Sequence, residues 1–457
     1  MPMTLRTLAF SNIRGNLRSY SAFFMSSVFS VMIFYIYTAF LIHPDVANGH
    51  IVAAGKVTQG MTFCQYIIII FSFLFALYSN SAFLKTRQQE FGLLSLFGMT
   101  RMQLRTLILY ENGAIALLSI GAGIGLGIAF SKLFYMALEV LLHMNEPIAF
   151  AVPLKALWLT AGGFFLLFGA ISAWTAWRVG RGGIMDMLKA SKEPGSPPVF
   201  SRWLAVLAVI CLGAAYGMAL IMNGANFVLL APSVMVTVTI GTYLLFTQFS
   251  IMLLRFVQSN HRLYYRRTNL IIVAQLSYKM KTNARMLFIV SMLSAVIVTA
   301  SGAVYMMGQA VFDGYKTQYE DAQSLMSLTM FIGMFISLLF FIAAGSIIYF
   351  KLFTELREDR AQCEALSRIG LTEDEIQHIV VMQMSMLFFV PCIVGIVHAL
   401  IAMKVLDKLM MLSNWSYSFI VIGVYLLMQT IYFLITCHDY VNSLLRGIDR
   451  QRKRRVT

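Results

Sequence analysis

Charge is what this 457-residue chain has least of: Asp, Glu, Lys and Arg make up 12% of it, about half their share in a soluble domain. Acidic residues are the scarcer kind, 20 against 35 basic ones, and the formal net charge is +15. Cysteine is sparse as well. Cys64, Cys211, Cys363, Cys392 and Cys437 are scattered with no CxxC and no Cys/His spacing, which argues against a disulfide framework or a zinc site. No P-loop occurs: "GIAFSK" at 127–132 lacks the second glycine and the spacing of GxxxxGK[ST], so the sequence offers no nucleotide-binding loop of that kind. The glycine-rich "GAGIGLG" at 121–127 lies within an apolar run instead of after a strand. Its Gly121/Gly125 and Gly123/Gly127 spacings are those of close helix packing in lipid. No chain of alternating Asp, Glu and His crosses the apolar stretches, which disfavours a proton-coupled carrier.

What fills the chain is apolar: 59% hydrophobic residues and a mean hydropathy of +0.75. This composition predicts an all-α polytopic membrane protein. A spanning helix needs about 20 mainly apolar residues, and ten stretches qualify, near 21–42, 61–84, 106–131, 153–177, 203–222, 229–254, 286–308, 328–350, 377–403 and 418–437. The first run, Ser21 to Ile42, is longer than the about 7 to 15 residues of a signal core and lacks a small-residue cleavage site. It is expected to stay as the first span. With the N-terminus inside, 29 of the 35 Lys and Arg fall on the tails and even-numbered loops. The other six, Lys56, Lys132, Lys155, Lys316, Lys404 and Lys408, lie on or near the outer side. This asymmetry predicts that both termini are cytoplasmic. The net charge is then topology, with attraction to lipid headgroups as a by-product, and it requires no nucleic acid. The basic tail "RGIDRQRKRRVT" fits the same reading, or docks a partner.

The halves of the chain echo each other. Placing Gly98 on Gly370 superposes "LLSLFGMTRMQL" on "ALSRIGLTEDEI" at an offset of 272, and "GNLRSYSAFFMSS" at 15–27 matches "TNARMLFIVSMLS" at 282–294 at an offset of 267. The two offsets suggest a duplicated four-span unit, spans one to four and seven to ten, with spans five and six inserted. The corresponding domains are 1–178, 179–260 and 261–457; the linker composition of "KEPGSPPVFSRW" at 192–203 precedes the inserted pair. Each copy of the repeated loop reads as a short helix stopped by Gly98 or Gly370. A new helix starts at once, because Thr100 to Gln103 and Thr372 to Glu375 both match a capping box. The product is an elbow that joins a short helix to a span without slack. The first copy is net basic, with Lys85, Arg87, Arg101 and Arg105, and the second net acidic, with Glu355, Glu358, Asp359, Glu373, Asp374 and Glu375.

The segment "EFGLLSLFGMT" after span two resembles the coupling segment of FtsX-like ABC permeases. With ten spans and "RGNLRSY" leading into the first, the chain more specifically resembles the bacitracin-export (BceB-type) permeases of Gram-positive bacteria. That resemblance implies a single permease chain in the bacterial cell membrane that binds two copies of a separate ABC ATPase. ATP and Mg would be held by that partner, with no cofactor on this chain. It also implies resistance to a peptide antibiotic acting on lipid-linked wall precursors, and association with a sensor histidine kinase. The coupling role carried over by position falls on Arg87, Glu90, Phe91, Gly92, Leu94, Phe97, Gly98, Met99 and Thr100. In the weaker second copy it falls on Glu364, Leu366, Ile369, Gly370, Leu371 and Thr372. The family carries a large extracellular domain between spans seven and eight, whereas here the link at 308–328 has about twenty residues, "MGQAVFDGYKTQYEDAQSLM". The short link favours an alternative, an FtsX-like transmission or signalling scaffold that moves no cargo.

Four ionisable residues in apolar runs remain. Glu111, two turns into span three, either pairs with a nearby arginine such as Arg105 or gates. Lys132 and Glu139, seven apart, share one helical face near the outer boundary. His398 follows Pro391 by seven residues in span nine, where a kink is expected. It reads as a hydrogen-bonded packing residue or, less readily, a proton relay. The thirty methionines are lipid-facing or core filler, or an adaptable peptide surface.

Overall fold

The computed structural model describes residues 5–15, 17–44, part of 65–89, then 90–142, 150–179, 201–223, 226–252, 258, 269–314, 320–410 and 415–456. Among the described residues all regular structure is helical. In chain order the long helices are α1 (Leu5–Gly15), α2 (Leu17–Leu41), α3 (Arg101–Leu142), α4 (Leu154–Val179), α5 (Arg202–Ile221) and α6 (Phe227–Leu244). They continue with α7 (Asn269–Gly314), α8 (Glu320–Arg368), α9 (Glu373–Met410) and α10 (Trp415–Val456). A five-residue π-type turn, Leu245–Phe249, prolongs α6.

Eight of these helices contain a segment long and apolar enough to cross a membrane, and they match expected spans one, three to seven, nine and ten. The eighth expected span falls in α8, where Ser337–Phe353 and Glu358–Arg368 qualify only together, with a bend of 51° between them. The second, at 61–84, lies partly outside the described residues. Those of its residues that are described as helical and buried, among them Ile68, Ser72, Ala76, Ser79, Asn80 and Phe83, recur at the three-to-four-residue spacing of one helix face. The outer link is also more helical than expected, since α7 runs to Gly314 and α8 starts at Glu320.

The chain divides into two compact units. The first comprises Met1–Pro194 and Ala310–Ile332, the second Gly195–Gln309 and Gly333–Thr457. The inserted pair α5 and α6 thus groups with the second unit. The reason is side-chain packing: Ala219 of α5 and Met222, which caps that helix, form an apolar cluster with Val405 of α9.

Within the first unit α2 and α3 touch through glycine. A Cβ on Gly123 would stand 2.6 Å from Val31 Cβ and 2.9 Å from the Val28 carbonyl oxygen; one on Gly127 would stand 2.7 Å from Tyr35 Cδ1. Gly121 and Gly125 face open space, so only one of the two glycine pairs read from the sequence makes the contact. Within the second unit Gly395 of α9 has the same role. A Cβ there would meet Ser294 Cβ at 2.5 Å and the Ser291 carbonyl oxygen at 2.7 Å, both on α7. The offset that carries Gly98 onto Gly370 also carries Gly123 onto Gly395. Since helices in lipid gain little from the hydrophobic effect, such close backbone approach is a main source of their association.

Candidate functional site: paired helix elbows

The first elbow begins with a helix over 90–96 that ends in a left-handed residue, Gly98, at φ 92°. The Met99 N–H donates to the Leu94 carbonyl at 3.1 Å and the Gly98 N–H to the Ser95 carbonyl at 3.2 Å. This pair of bonds is a Schellman closure, which satisfies carbonyls left over at a helix end. The next helix starts two residues later. The Thr100 N–H donates to Gln103 Oε1 at 2.9 Å, and the Gln103 N–H donates back to Thr100 Oγ1 at 3.3 Å, a reciprocal capping box.

The second elbow repeats these bonds at every corresponding position. Gly370 has φ 100°. The Leu371 N–H donates to the Leu366 carbonyl and the Gly370 N–H to the Ser367 carbonyl, each at 3.2 Å. The Thr372 N–H donates to Glu375 Oε2 at 3.0 Å, and the Glu375 N–H to Thr372 Oγ1 at 3.3 Å. Gly98 and Gly370 are the positive-φ glycines among the described residues.

What the elbows present differs. On the first, Phe97 is 86% exposed, and Leu93, Leu96 and Met102 are exposed beside it; the exposed Arg101 follows Thr100 in sequence. On the second, Ile369 is exposed, followed by the exposed carboxylates of Glu373, Asp374 and Glu375 in the first turn of α9. Thr100 and Thr372 are solvent-facing; Glu90, Leu94, Met99, Glu364 and Leu371 are half-buried. The arrangement therefore offers an apolar knob with a basic flank and a second knob with an acidic flank.

Three residues assigned by position to the partner surface face inward. Phe91 packs with Leu104, Ile108 and Ala176, Gly92 is buried beside it, and Arg87 is 1% exposed. The Arg87 guanidinium donates to Glu90 at 2.9 Å through Nε, and through Nη1 to Tyr20 and Glu111. It also lies over the rings of Tyr20 and Phe91, about 5 Å from each centroid. Burial, the largest single influence, would lower its pKa, but the charge of Glu111, the Tyr20 phenol and the hydrogen bonds to Glu111 and Glu90 together raise it. Burial and Glu111 push the Tyr20 phenol far up. The partner of Glu111 is thus Arg87, not Arg105, and Asn12 of α1 adds a donor at 3.0 Å. The second unit has its own buried pair: Lys279 Nζ donates to Asp359 Oδ2 at 2.6 Å, and Tyr440 donates to the same oxygen.

The remaining candidates do not join the elbows. His398 is held between Tyr216 Oη at 2.7 Å from Nδ1 and Thr242 Oγ1 at 2.9 Å from Nε2. That is the packing role, and Pro391 sits inside a continuous α9. Lys132 is exposed on α3, while the side chain of Glu139 lies outside the described residues. Sequence reasoning missed Tyr20, Asn12, Lys279 and Tyr440. The signal that could have found them is a polar or ionisable residue on an otherwise apolar face near a predicted span end.

A family model for the C-terminal part of FtsX-like permeases matches two stretches, 63–184 and 334–438, whose starts are separated by almost the offset of the repeated loop. Each stretch contains one elbow. Over 97% of its length the chain is 28% identical to an ABC transporter permease, YvcS, of Bacillus subtilis (strain 168), and equally to the ABC transporter permease protein YxdM of the same organism; both relatives are covered entirely. The bacitracin export permease protein BceB of Halalkalibacterium halodurans is 24% identical over 65% of this chain and 47% of its own length. The alignment with YvcS runs over 644 positions against the 457 residues here, so at least the difference, 187 positions, has no counterpart in this chain. These similarities support a multi-pass ABC transporter permease of the FtsX-like kind.

Proposed function

We propose that this chain is the membrane subunit of an ATP-driven peptide-resistance complex in a bacterial cell membrane, with both termini and both elbows on the cytoplasmic side. Two copies of a separate ATPase, which holds ATP and Mg, press on the elbows. The observation that carries this reading is that the two elbows share the same four closing hydrogen bonds at corresponding positions of the repeat. One such turn is an ordinary re-entry. Two, at corresponding places of a duplicated four-span unit, are a pair of handles. A helix closed by a Schellman bond and followed directly by a capped helix has no loose residues to absorb displacement, so a push on Phe97 or Ile369 moves the following span. At 1.5 Å per residue α3 extends about 63 Å, twice the roughly 30 Å hydrocarbon core, so the span and its elbow form one lever.

The peptide-resistance part, with a bacitracin-like peptide or its lipid-linked wall precursor as target and a sensor histidine kinase as partner, rests on the more distant likeness to bacitracin export permeases. The chain is expressed with its cognate ATPase in a sensitive strain. Co-purification of the ATPase and lowered bacitracin susceptibility are expected; unchanged susceptibility sinks the resistance reading, and loss of co-purification sinks the coupling. Phe97→Asp is expected to cut ATPase retention at least tenfold without affecting membrane insertion.

A second reading is favoured by the 187 or more positions that YvcS has and this chain lacks. In it the chain is an FtsX-like scaffold that transmits ATPase movement to an extracytoplasmic partner and moves no cargo. Stimulation of the complex's ATPase by bacitracin supports the first reading; ATPase activity indifferent to the peptide supports the second.

A further inference from the structure

The two elbows are built alike, but the polar groups behind them are not. The offset that superposes the elbows also places Arg87 on Asp359 and Glu111 on Gln383, and the offset of the lead-in segments places Asn12 on Lys279. Five of these six are nearly inaccessible, and Asn12 is half-buried.

In the first unit the cation, Arg87, is on the helix before the elbow, and its buried anion, Glu111, is on α3, the span that the elbow enters. Asn12 of the lead-in helix contributes a neutral donor to Glu111. In the second unit the charges change places. The anion, Asp359, is on the helix before the elbow, the cation, Lys279, is on the lead-in part of α7, and Tyr440 of α10 donates to the same carboxylate. The span entered by the second elbow offers a neutral Gln383, which donates instead to Gln275 of α7. Between Asp359 and Gln383 lies a cavity of about 10 Å³, also lined by Gln275, Leu366 and Ile376, room for about one water molecule.

We propose that Arg87 and Asp359 are positioning residues that steer the two elbows into different spans. Arg87 ties the first elbow to α3, the helix that follows it, through the Glu111 carboxylate, and to the start of α2 through the Tyr20 hydroxyl. Asp359 ties the second elbow to the lead-in of α7 and to α10, and neither of these bonds reaches α9. A buried charge cannot leave its partner without being stranded, so each pair moves as one body. The neutral Gln383 can exchange its partner for water at little cost. The steering rests on the reading that the elbows receive a push, and it makes identical ATPase strokes produce unequal movements in the two halves.

The test is amide hydrogen exchange on the full-length chain in nanodiscs, without any ATPase. Arg87→Gln is expected to speed exchange at least tenfold at 88–103 and in the first turns of α3, and more weakly around Tyr20, with the rest of the first unit unchanged. The exchanged pair Arg87→Glu with Glu111→Arg is expected to recover most of the protection. Asp359→Asn is expected to speed exchange at 270–282 and 436–444 and to leave the first turns of α9 as they were. Arg87→Lys, which keeps the charge, provides the comparison if Arg87→Gln does not fold. Loosening of α9 by Asp359→Asn as strong as that of α3 by Arg87→Gln overturns the steering. So does an even loosening of the whole unit, which is what a purely structural residue would give, or no change with either variant. ATPase co-purification is scored separately: a chain that binds the ATPase without the split pattern loses the steering and keeps the permease reading.

Discussion

Gly98→Ala isolates the backbone contribution of the first elbow. A Cβ at this position meets nothing within 4 Å, so the substitution creates no clash and removes no side-chain contact. The whole effect comes from φ 92°, a region that L-residues adopt at a cost of about 1–2 kcal/mol; it is further positive than the small left-handed window near +50 to +70°, which places the cost toward the upper end. That is roughly a 5- to 30-fold change in a local equilibrium. The bonds at stake are those of the Gly98 and Met99 N–H groups, and their exchange is expected to rise by that factor. Gly98→Asn is expected to fall between, since Asn enters the left-handed region more readily.

Gly113→Ala is the matching control. Gly113 sits in α3, and its Cβ also meets nothing within 4 Å, but its φ is helical. There alanine is expected to stabilise by up to about 1 kcal/mol. The same chemical change thus has opposite signs at two open positions, one in the elbow and one in the span that follows it. Exchange of Met99 unaffected by Gly98→Ala, or α3 loosened by Gly113→Ala, would refute the assignment of the elbow to a glycine-specific turn. Gly370→Ala must then reproduce Gly98→Ala, because its φ of 100° and its empty surroundings are the same.

Thr100→Ala and Thr372→Ala each remove the side-chain half of a capping box and should cost about 1 kcal/mol, read as fraying of the first turn of α3 or α9 with the Schellman bonds intact. Gly395→Val drives a side chain into the Ser291 carbonyl, which lies 2.7 Å from the Cβ site, and should lower the melting temperature and yield of purified protein, by an overpacking penalty of about 1–3 kcal/mol or more. Gly125→Val, facing open space, should affect neither. His398→Leu takes away the partner of the Tyr216 hydroxyl, while Thr242 keeps its bond to the Val238 carbonyl, and should destabilise by about 1–3 kcal/mol, measured by thermal unfolding; a change in the pH profile of complex activity without loss of stability would instead make His398 a relay.

The elbows were legible because everything that makes them is local. A glycine that ends a helix and a threonine three positions before a Gln or Glu are read within one short window, and the return of the pattern at the same place in the second half made it stand out. The buried pairs were not legible. Arg87 looked like a surface arginine of a charged loop, and Glu111 was matched to Arg105 because that residue is near in sequence; its partner is 24 residues away, with Asn12 a further donor 99 residues away. Contacts at such separation depend on how helices pack, which periodicity leaves open.

The repeat nevertheless held more than was taken from it. If a duplicated unit keeps its fold, each buried position of one half has a counterpart with the same surroundings. A charge at 87 therefore demands that position 359 be charged, neutral or repartnered, and the change from Arg to Asp there has to be answered elsewhere in the second half. Lys279, at the place of Asn12, answers it; Gln383, at the place of Glu111, no longer needs a charge. Two halves that balance corresponding buried sites with opposite charges are not mechanically equivalent, because the ion pair ties different helices together in each. Asymmetry between the halves therefore begins inside the bundles, before any difference in the elbow surfaces that a partner touches.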